Sequence, residues 1–343
     1  MAAMEGLALL CAALGTAGIG AWEIYRKRVL NERLFTEYEH RVFQHLIAGI
    51  ICFAFFLTVG REWDALAPQT FNIPMWSIAL IVTTLCNVVI QFANVRSSRL
   101  LDASFRAPIS AVAPGLVVFG ALLIGEWPGH YGIIGIALVI VAVYTSAREG
   151  APWKEYFMPL AFWLAFRSTK NLPETEKKRM RGLRWAYGGA LIATPALISD
   201  GLLARHGDMI LGVTIEILAL ALIYAVFTSK APSHDEGEFA PLRDRLRLHK
   251  WKMVLIGTFY AIPFIALGVA FRLAPIAYVG SLKRLAILIV VFGAVWYLRE
   301  KVSMLRIVCA IGATIGAILI GFDPSPAVVQ DSADAYLRTI IGR

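Results

Sequence analysis

Several chemical signatures are missing from this chain. It has no HExxH motif, no paired set of histidine ligands and no glycine-rich P-loop, so metal-dependent hydrolysis and nucleotide hydrolysis have no basis in its residues. Its four cysteines, Cys11, Cys52, Cys86 and Cys309, lack CxxC spacing and fall in four different apolar stretches. Neither a zinc site nor a disulfide framework is indicated, and each thiol is expected to pack as a small hydrophobe. The six histidines, His40, His45, His130, His206, His234 and His249, fall at or beyond the ends of apolar stretches. No set of His, Ser and carboxylate residues converges at one depth, so neither an enzyme nor a cofactor is expected. Charge is scarce as well, at 17% Asp, Glu, Lys and Arg.

What the chain has in abundance is apolar surface. Over 343 residues it is 58% hydrophobic, with a mean hydropathy of +0.65, which is too apolar for a soluble domain. Ten apolar segments stand out, near residues 5–24, 43–60, 74–95, 103–125, 131–147, 185–203, 209–227, 252–271, 274–297 and 304–321. No strand-like alternation recurs at barrel spacing, and helices satisfy their own backbone hydrogen bonds in lipid. The expected fold class is therefore an all-α polytopic membrane protein of ten transmembrane helices. The first segment has no basic region before it and no clear cleavage site, so it is expected to be a retained helix.

The formal net charge of +9 is a topology signal and not a nucleic-acid footprint. Of the 33 Lys and Arg residues, 25 flank alternate loops, 5 lie on the other side and three, Arg106, Lys283 and Arg284, are inside spans. The positive-inside rule then places both termini outside the cytoplasm. The expected location is the bacterial cytoplasmic (inner) membrane.

Residues 1–147 form a first five-span unit, 148–184 a polar connector, 185–322 a second five-span unit and 323–343 a short tail. An odd number of spans per half makes the second half enter the membrane upside down, the geometry of inverted repeats with a substrate site at their interface. Gly120-Ala-Leu-Leu-Ile-Gly-Glu126 recurs, with one residue inserted, as Gly293-Ala-Val-Trp-Tyr-Leu-Arg-Glu300. In the connector, aromatic-rich 153–166 is expected at the interface. The cluster Lys177-Lys178-Arg179-Met-Arg181 is expected to face headgroups or solvent.

Ala107-Pro-Ile-Ser-Ala-Val-Ala-Pro114, Gly120 to Glu126-Trp-Pro128, Gly132 and Gly135 in the first half, and Tyr278 to Glu300 with Gly312, Gly316 and Gly321 in the second, resemble the drug/metabolite transporter superfamily. The likeness is to its ten-helix proteins of two EamA-type repeats. Val279-Gly280-Ser-Leu-Lys283-Arg284-Leu-Ala-Ile-Leu-Ile resembles the ninth helix of the phosphate/phosphometabolite translocators. That second resemblance implies contact of Lys283 and Arg284 with a substrate phosphate. The orientation read from the loop charges is opposite to that of the well-studied ten-helix members.

Intramembrane charge is expensive, so Lys283 and Arg284 are the first candidates for function. Arg presents a planar fork to phosphate or carboxylate and Lys a mobile point charge. The alternatives are a salt bridge to Glu216 or another carboxylate and snorkelling to the nearer surface. Neighbouring residues on a helix diverge by about 100°, so one of the two is expected to face cargo and the other a partner. Asn87, Gln91 and Asn94 recur at i, i+4 and i+7 and form a polar stripe that either lines a cavity or glues helices together. Glu216 lies deep in the seventh span, where it suits proton coupling or static pairing with a cation. Asp102 and Arg106 are expected to pair at i, i+4, with Arg106 a further candidate for the anion site. Tyr260 and Tyr278 can offer hydroxyls to a cavity or pack as aromatics. Glu23, Glu126 and Glu300 are expected to cap or flank span ends.

These residues suit a secondary transporter moving a small organic anion, a phosphorylated or carboxylated metabolite, by alternating access. A flippase for a phosphorylated lipid or lipid-linked sugar and a non-transporting subunit of an envelope assembly are the alternatives. The partners expected are a small-molecule or lipid anion, membrane lipids and no nucleic acid. A second copy of the chain in a homodimer is left open.

Overall fold

A computed structural model describes residues 2–60, 72–111, 129–149, 168–228, 230, 238–273 and 282–321. These residues form helices, with no strand among them. In chain order they are α1 (Ala2–Asn31), α2 (Glu37–Phe55, ending in a wider π-type turn over Phe56–Gly60), α3 (Ile73–Leu100), α4 (Ala103–Arg106, tightening to a 3-10 turn over Ala107–Ala111) and α5 (His130–Ala147). They continue with α6 (Glu174–His206), α7 (Met209–Phe227), α8 (Leu242–Leu273), α9 (a 3-10 turn, Lys283–Leu285, running into Ala286–Trp296) and α10 (Met304–Gly321). Among the described residues six helices, α2, α3, α5, α6, α7 and α8, are long and apolar enough to cross a membrane. Large apolar side chains such as Ile81 and Leu85 on α3, Val141 on α5 and Leu222 on α7 point outward, as lipid permits and water does not.

Local chemistry starts several of these helices. Thr36 and Glu39 form a capping box at α2: the Thr36 hydroxyl accepts from the Glu39 amide at 3.2 Å, and the Glu39 carboxylate accepts from the Thr36 amide at 2.9 Å. Asn72 accepts from the Met75 amide at the start of α3, and Asp208 from the Leu211 amide at the start of α7.

The packing partners are α3 with α6, α1 with α8, α5 with α10 and α2 with α7. Where α5 crosses α10 the backbones are so close that a Cβ on Gly135 would lie 2.5 Å from the Gly316 carbonyl oxygen, and one on Gly316 would lie 2.6 Å from that of Gly135. Small residues permit this approach, which replaces the missing hydrophobic drive between helices in lipid. Two large apolar clusters result, beside a small one of Ala12, Leu267 and Ala270 between α1 and α8. Of the large ones, one joins α4, α5, α6, α9 and α10, and the other joins α1, α2, α3, α7 and α8 with Leu203 of α6.

One end of the bundle is charged. There Lys252 bonds to Glu32 at 2.6 Å, Arg245 to Glu39 at 2.6 Å, and Arg306 to Glu149 at 2.5 Å and to Asp102 at 3.2 Å. Lys27 donates to the carbonyls of Ser98 and Leu101, and Glu300 accepts from the Ala103 and Ser104 amides. At the opposite end the Asn72 amide donates to the His206 carbonyl and the Trp76 indole to that of Asp208.

Several expectations change here. Asp102 does not pair with Arg106; it sits outside the first turn of α4 and turns to Arg306, while Arg106 turns inward. Within the basic cluster, half-buried Arg179 donates to the carbonyls of Ala147 and Glu149 and lies over the Phe105 ring at the end of α5, while Lys178 and Arg181 are exposed. His40 and His45 are fully buried in α2, because that helix starts at Glu37, before its apolar part. Helices α6 and α8 likewise begin before their apolar stretches, at Glu174 and Leu242. Arg26, Lys27 and Arg41, counted with a loop by hydropathy, are buried in the charged end. The cysteines are unpaired, in four different helices. The stretch 153–166, the repeat segment Gly120 to Glu126 and the tail 323–343 lie outside the described residues.

Candidate functional site

A cavity of about 250 Å³ lies between the two large clusters, walled by α1, α3, α4, α6, α7, α8 and α9. Its lining includes Asn87, Gln91, Asn94, Arg106, Glu216, Tyr260, Lys283 and Arg284. Eight of the nine residues singled out by sequence thus meet at one place, and the ninth, Tyr278, lies outside the described residues. The depth of the cavity follows from its lining. Glu23 and Arg106 lie toward the charged end, while Asp200 and Met209 lie near the 206–209 turn at the other.

Lys283 and Arg284 both reach this cavity, against the expectation that one would turn away. The cavity wets a broad sector of α9 that also takes in Ala286, Ile287 and Val290, so a divergence of about 100° still leaves both side chains inside it. The salt bridge considered for Lys283 is replaced by a looser arrangement. Asp200 and Glu216 face its ammonium at electrostatic range, and among the described residues neither closes to a direct ion pair with it.

The amide stripe on α3 has both of its possible roles at once. Asn87 donates to Glu216 Oε1 at 2.7 Å and to the Thr83 hydroxyl at 3.2 Å, and Thr83 donates to Asp200 Oδ1 at 2.6 Å. Two carboxylates, one on α6 and one on α7, are thereby joined through one face of α3. A turn further on, Gln91 donates through Nε2 to the Tyr260 hydroxyl at 2.7 Å, while its Oε1 is buried with no partner. Asn94 Oδ1 accepts from Arg106 Nη1 at 3.4 Å. Each interhelical bond of this kind contributes on average about 0.6 kcal/mol in a membrane protein, so the stripe positions groups more than it stabilises the bundle.

Near the charged end Arg106 forms an ion pair with Glu23, which also pairs with Arg26. The Arg26 guanidinium lies 4.1 Å from the centroid of Trp22, whose indole donates to Gln44 at 2.9 Å. Tyr260 stands at the centre of an aromatic wall, with ring centroids 4.9 Å from Trp22, 4.7 Å from Phe264 and 5.0 Å from His45. Opposite it, Ala186, Gly189, Ala190 and Ala193 give α6 a small-residue face that leaves the space open.

Sequence reasoning passed over Asp200 and Thr83 and did not place Glu23 in the site. Glu23 was expected to cap or flank a span end, and Asp200 sits near the edge of its apolar stretch without having been singled out. They are inside because α1 and α6 continue past those edges, to Asn31 and His206. A usable signal was present in Asp200, an acid that follows a stretch from Trp185 free of any other charge. Glu300 was rightly placed in a capping role, although the helix it caps is α4. No group of three or more His, Cys, Asp or Glu residues suited to a metal ion occurs among the described residues.

The apolar helices and the charged interior define a helical integral membrane protein with a polar cavity buried among its spans. No protein-family model and no curated protein matches the chain.

Proposed function

We propose that this protein is a secondary transporter that moves a small organic anion, a phosphorylated or carboxylated metabolite, by alternating access between two inverted five-helix halves of the drug/metabolite transporter type. The observation that carries this reading is the convergence of Lys283 and Arg284 with the α3 amides on one internal cavity. Intramembrane charge is costly and marks a functional site, and a fork-shaped guanidinium beside a mobile ammonium suits phosphate or carboxylate.

The pattern of helix packing supports the inverted repeat. If each of α1 to α5 is exchanged with the helix five places later, the pair α3–α6 becomes α8–α1, and α2–α7 and α5–α10 map onto themselves. Among the weaker contacts, α2–α8 becomes α7–α3, and α1–α9 becomes α6–α4. A pairing that survives this exchange is what a two-fold axis in the membrane plane requires, and the cavity lies where such an axis would run. The rule extends to all ten helices and so favours ten spans over six.

The ion pairs at the charged end would then be the closed gate of one state. Loop charge puts that gate on the cytoplasmic side of a bacterial inner membrane, with both termini outside. Thermal unfolding of the purified protein against a panel of phosphorylated and carboxylated metabolites tests the reading. At least one anion should stabilise the wild type and leave the folded double variant Lys283→Ala/Arg284→Ala unaffected; equal stabilisation of that variant overturns it.

A further inference from the structure

The lining of the cavity is balanced in charge. Among the described lining residues, three carboxylates, Glu23, Asp200 and Glu216, stand against three cations, Arg106, Lys283 and Arg284; Glu23 pairs with Arg106 at one end, which leaves two carboxylates and two cations at the other. An anion arriving at the cations adds negative charge that no further cation at that end offsets among the described lining residues. At an effective dielectric constant near 20, two like unit charges about 4 Å apart cost about 4 kcal/mol, so the imbalance opposes binding unless negative charge is lost nearby. The groups placed to lose it are the two carboxylates. They face Lys283, and the bridge through Thr83 and Asn87 holds them to one another across α3. Among the described residues the other titratable groups that face them are Cys86 of α3, beside Asp200, and Tyr260 of α8, beside Glu216; neither supplies a positive charge. A second feature points to a ligand carrying a hydrogen: Gln91 Oε1, on the same stripe as Asn87 and 96% buried with its residue, accepts from nothing. It is an acceptor left open in the lining for a ligand O–H or N–H.

We propose that Asp200 and Glu216 form a proton-binding pair that loads when an anion engages Lys283, so that cargo and protons cross the membrane in the same direction. This rests on the anion-transporter reading above. Proton and anion occupy neighbouring sites of opposite sign, so each strengthens the binding of the other, and by linkage the strengthening is mutual. Competition, which would give exchange, requires the two ligands to share one site. In the step itself a proton from water on one side forms an O–H bond at a carboxylate oxygen, and that bond breaks to water on the other side as the anion leaves. A monoanion draws one proton and a dianion two.

Binding of sulfate and of phenyl sulfate to the purified full-length protein tests this, because their charges, two and one, are constant through the neutral pH range. Wild-type affinity should fall with rising pH by about tenfold per unit for phenyl sulfate and about a hundredfold for sulfate over the range in which the pair titrates. An indicator in weakly buffered solution should record proton uptake on binding. The variant Asp200→Asn/Glu216→Gln mimics the loaded pair, so it should bind sulfate at high pH as tightly as the wild type does at low pH, with no proton uptake. That gain distinguishes coupling from a structural role, which would only weaken binding. Binding by the wild type that is independent of pH and takes up no proton overturns the proposal and leaves the anion site standing. Weaker binding by the folded variant at every pH does the same. If the variant does not fold, proton uptake by the wild type decides alone. If neither anion stabilises the wild type at any pH, the anion reading fails and the proposal with it.

Discussion

Arg306 Nε donates to the Glu149 carboxylate at 2.5 Å and ties the end of α5 to the start of α10. Burial alone would raise the Glu149 pKa. The hydrogen bonds from Ser303 and Arg306, with the charges of Arg306 and Arg179, outweigh it and hold the carboxyl below its ordinary range. Glu32 is held low in the same way: burial opposes its charge, but Lys252 and Arg28 prevail. A carboxyl depressed on folding contributes stability that is present above its unfolded value and is lost as pH falls through its folded value. Glu149→Gln should therefore lower the melting temperature at neutral pH and cease to do so in acid. Melting curves of both proteins over a pH series check this, and a deficit that persists undiminished at the acid end would contradict it.

The links Arg245–Glu39 and Lys252–Glu32 join α8 to the α1–α2 corner, so any motion that opens the charged end has to break them. Exposed pairs are worth about 0–1 kcal/mol, but Arg245 and Glu39 are nearly buried and doubly bonded, so this pair outweighs the other. Arg245→Ala should shift the protein toward the state open at that end. In a background lacking native cysteines, a thiol introduced at Ala190 should then react faster with a membrane-impermeant reagent supplied from the charged side. Unchanged labelling would show that the pair does not gate.

Arg106 and Glu23 form a buried pair within the bundle. Removing one partner from such a pair typically costs about 3–5 kcal/mol because the other is left uncompensated. Arg106→Ala should be the less severe case here, since Arg26 remains beside Glu23. Adding Glu23→Gln to Arg106→Ala should recover part of the lost stability. A double-mutant cycle on melting measures this, and additive effects would mean that the two charges do not depend on each other.

Most of the candidate site was legible because charge and amide groups stand out against an apolar background. Asn87, Gln91 and Asn94 declare themselves by spacing, and Lys283, Arg284 and Glu216 by being deep inside runs long enough to span. Glu23 and Asp200 escaped for one physical reason: hydropathy locates where a helix meets lipid, whereas a helix facing a polar interior continues unchanged past that level. The same blindness placed the starts of α6 and α8 too late. Pairing across the bundle, as in Arg306 with Asp102, was beyond reach, because i, i+4 geometry says only which partner is close in the chain.

Gly135 and Gly316 offer a test of the packing that is independent of charge. A methyl group on either would press on the carbonyl oxygen of the other, backbone against backbone, with no flexible side chain to yield. Gly135→Ala and Gly316→Ala should each destabilise by about 1–3 kcal/mol, the usual cost of overpacking. Gly188→Ala on α6 is the control, because its Cβ would meet nothing within 4 Å. Replacing glycine by alanine inside a helix otherwise favours the folded state by about 0.5–1 kcal/mol, so the control should be neutral or slightly stabilised. Melting temperatures that fall for the α5 and α10 variants but not for the control would locate the effect at the crossing; a uniform fall in all three would assign it to alanine at any helical glycine.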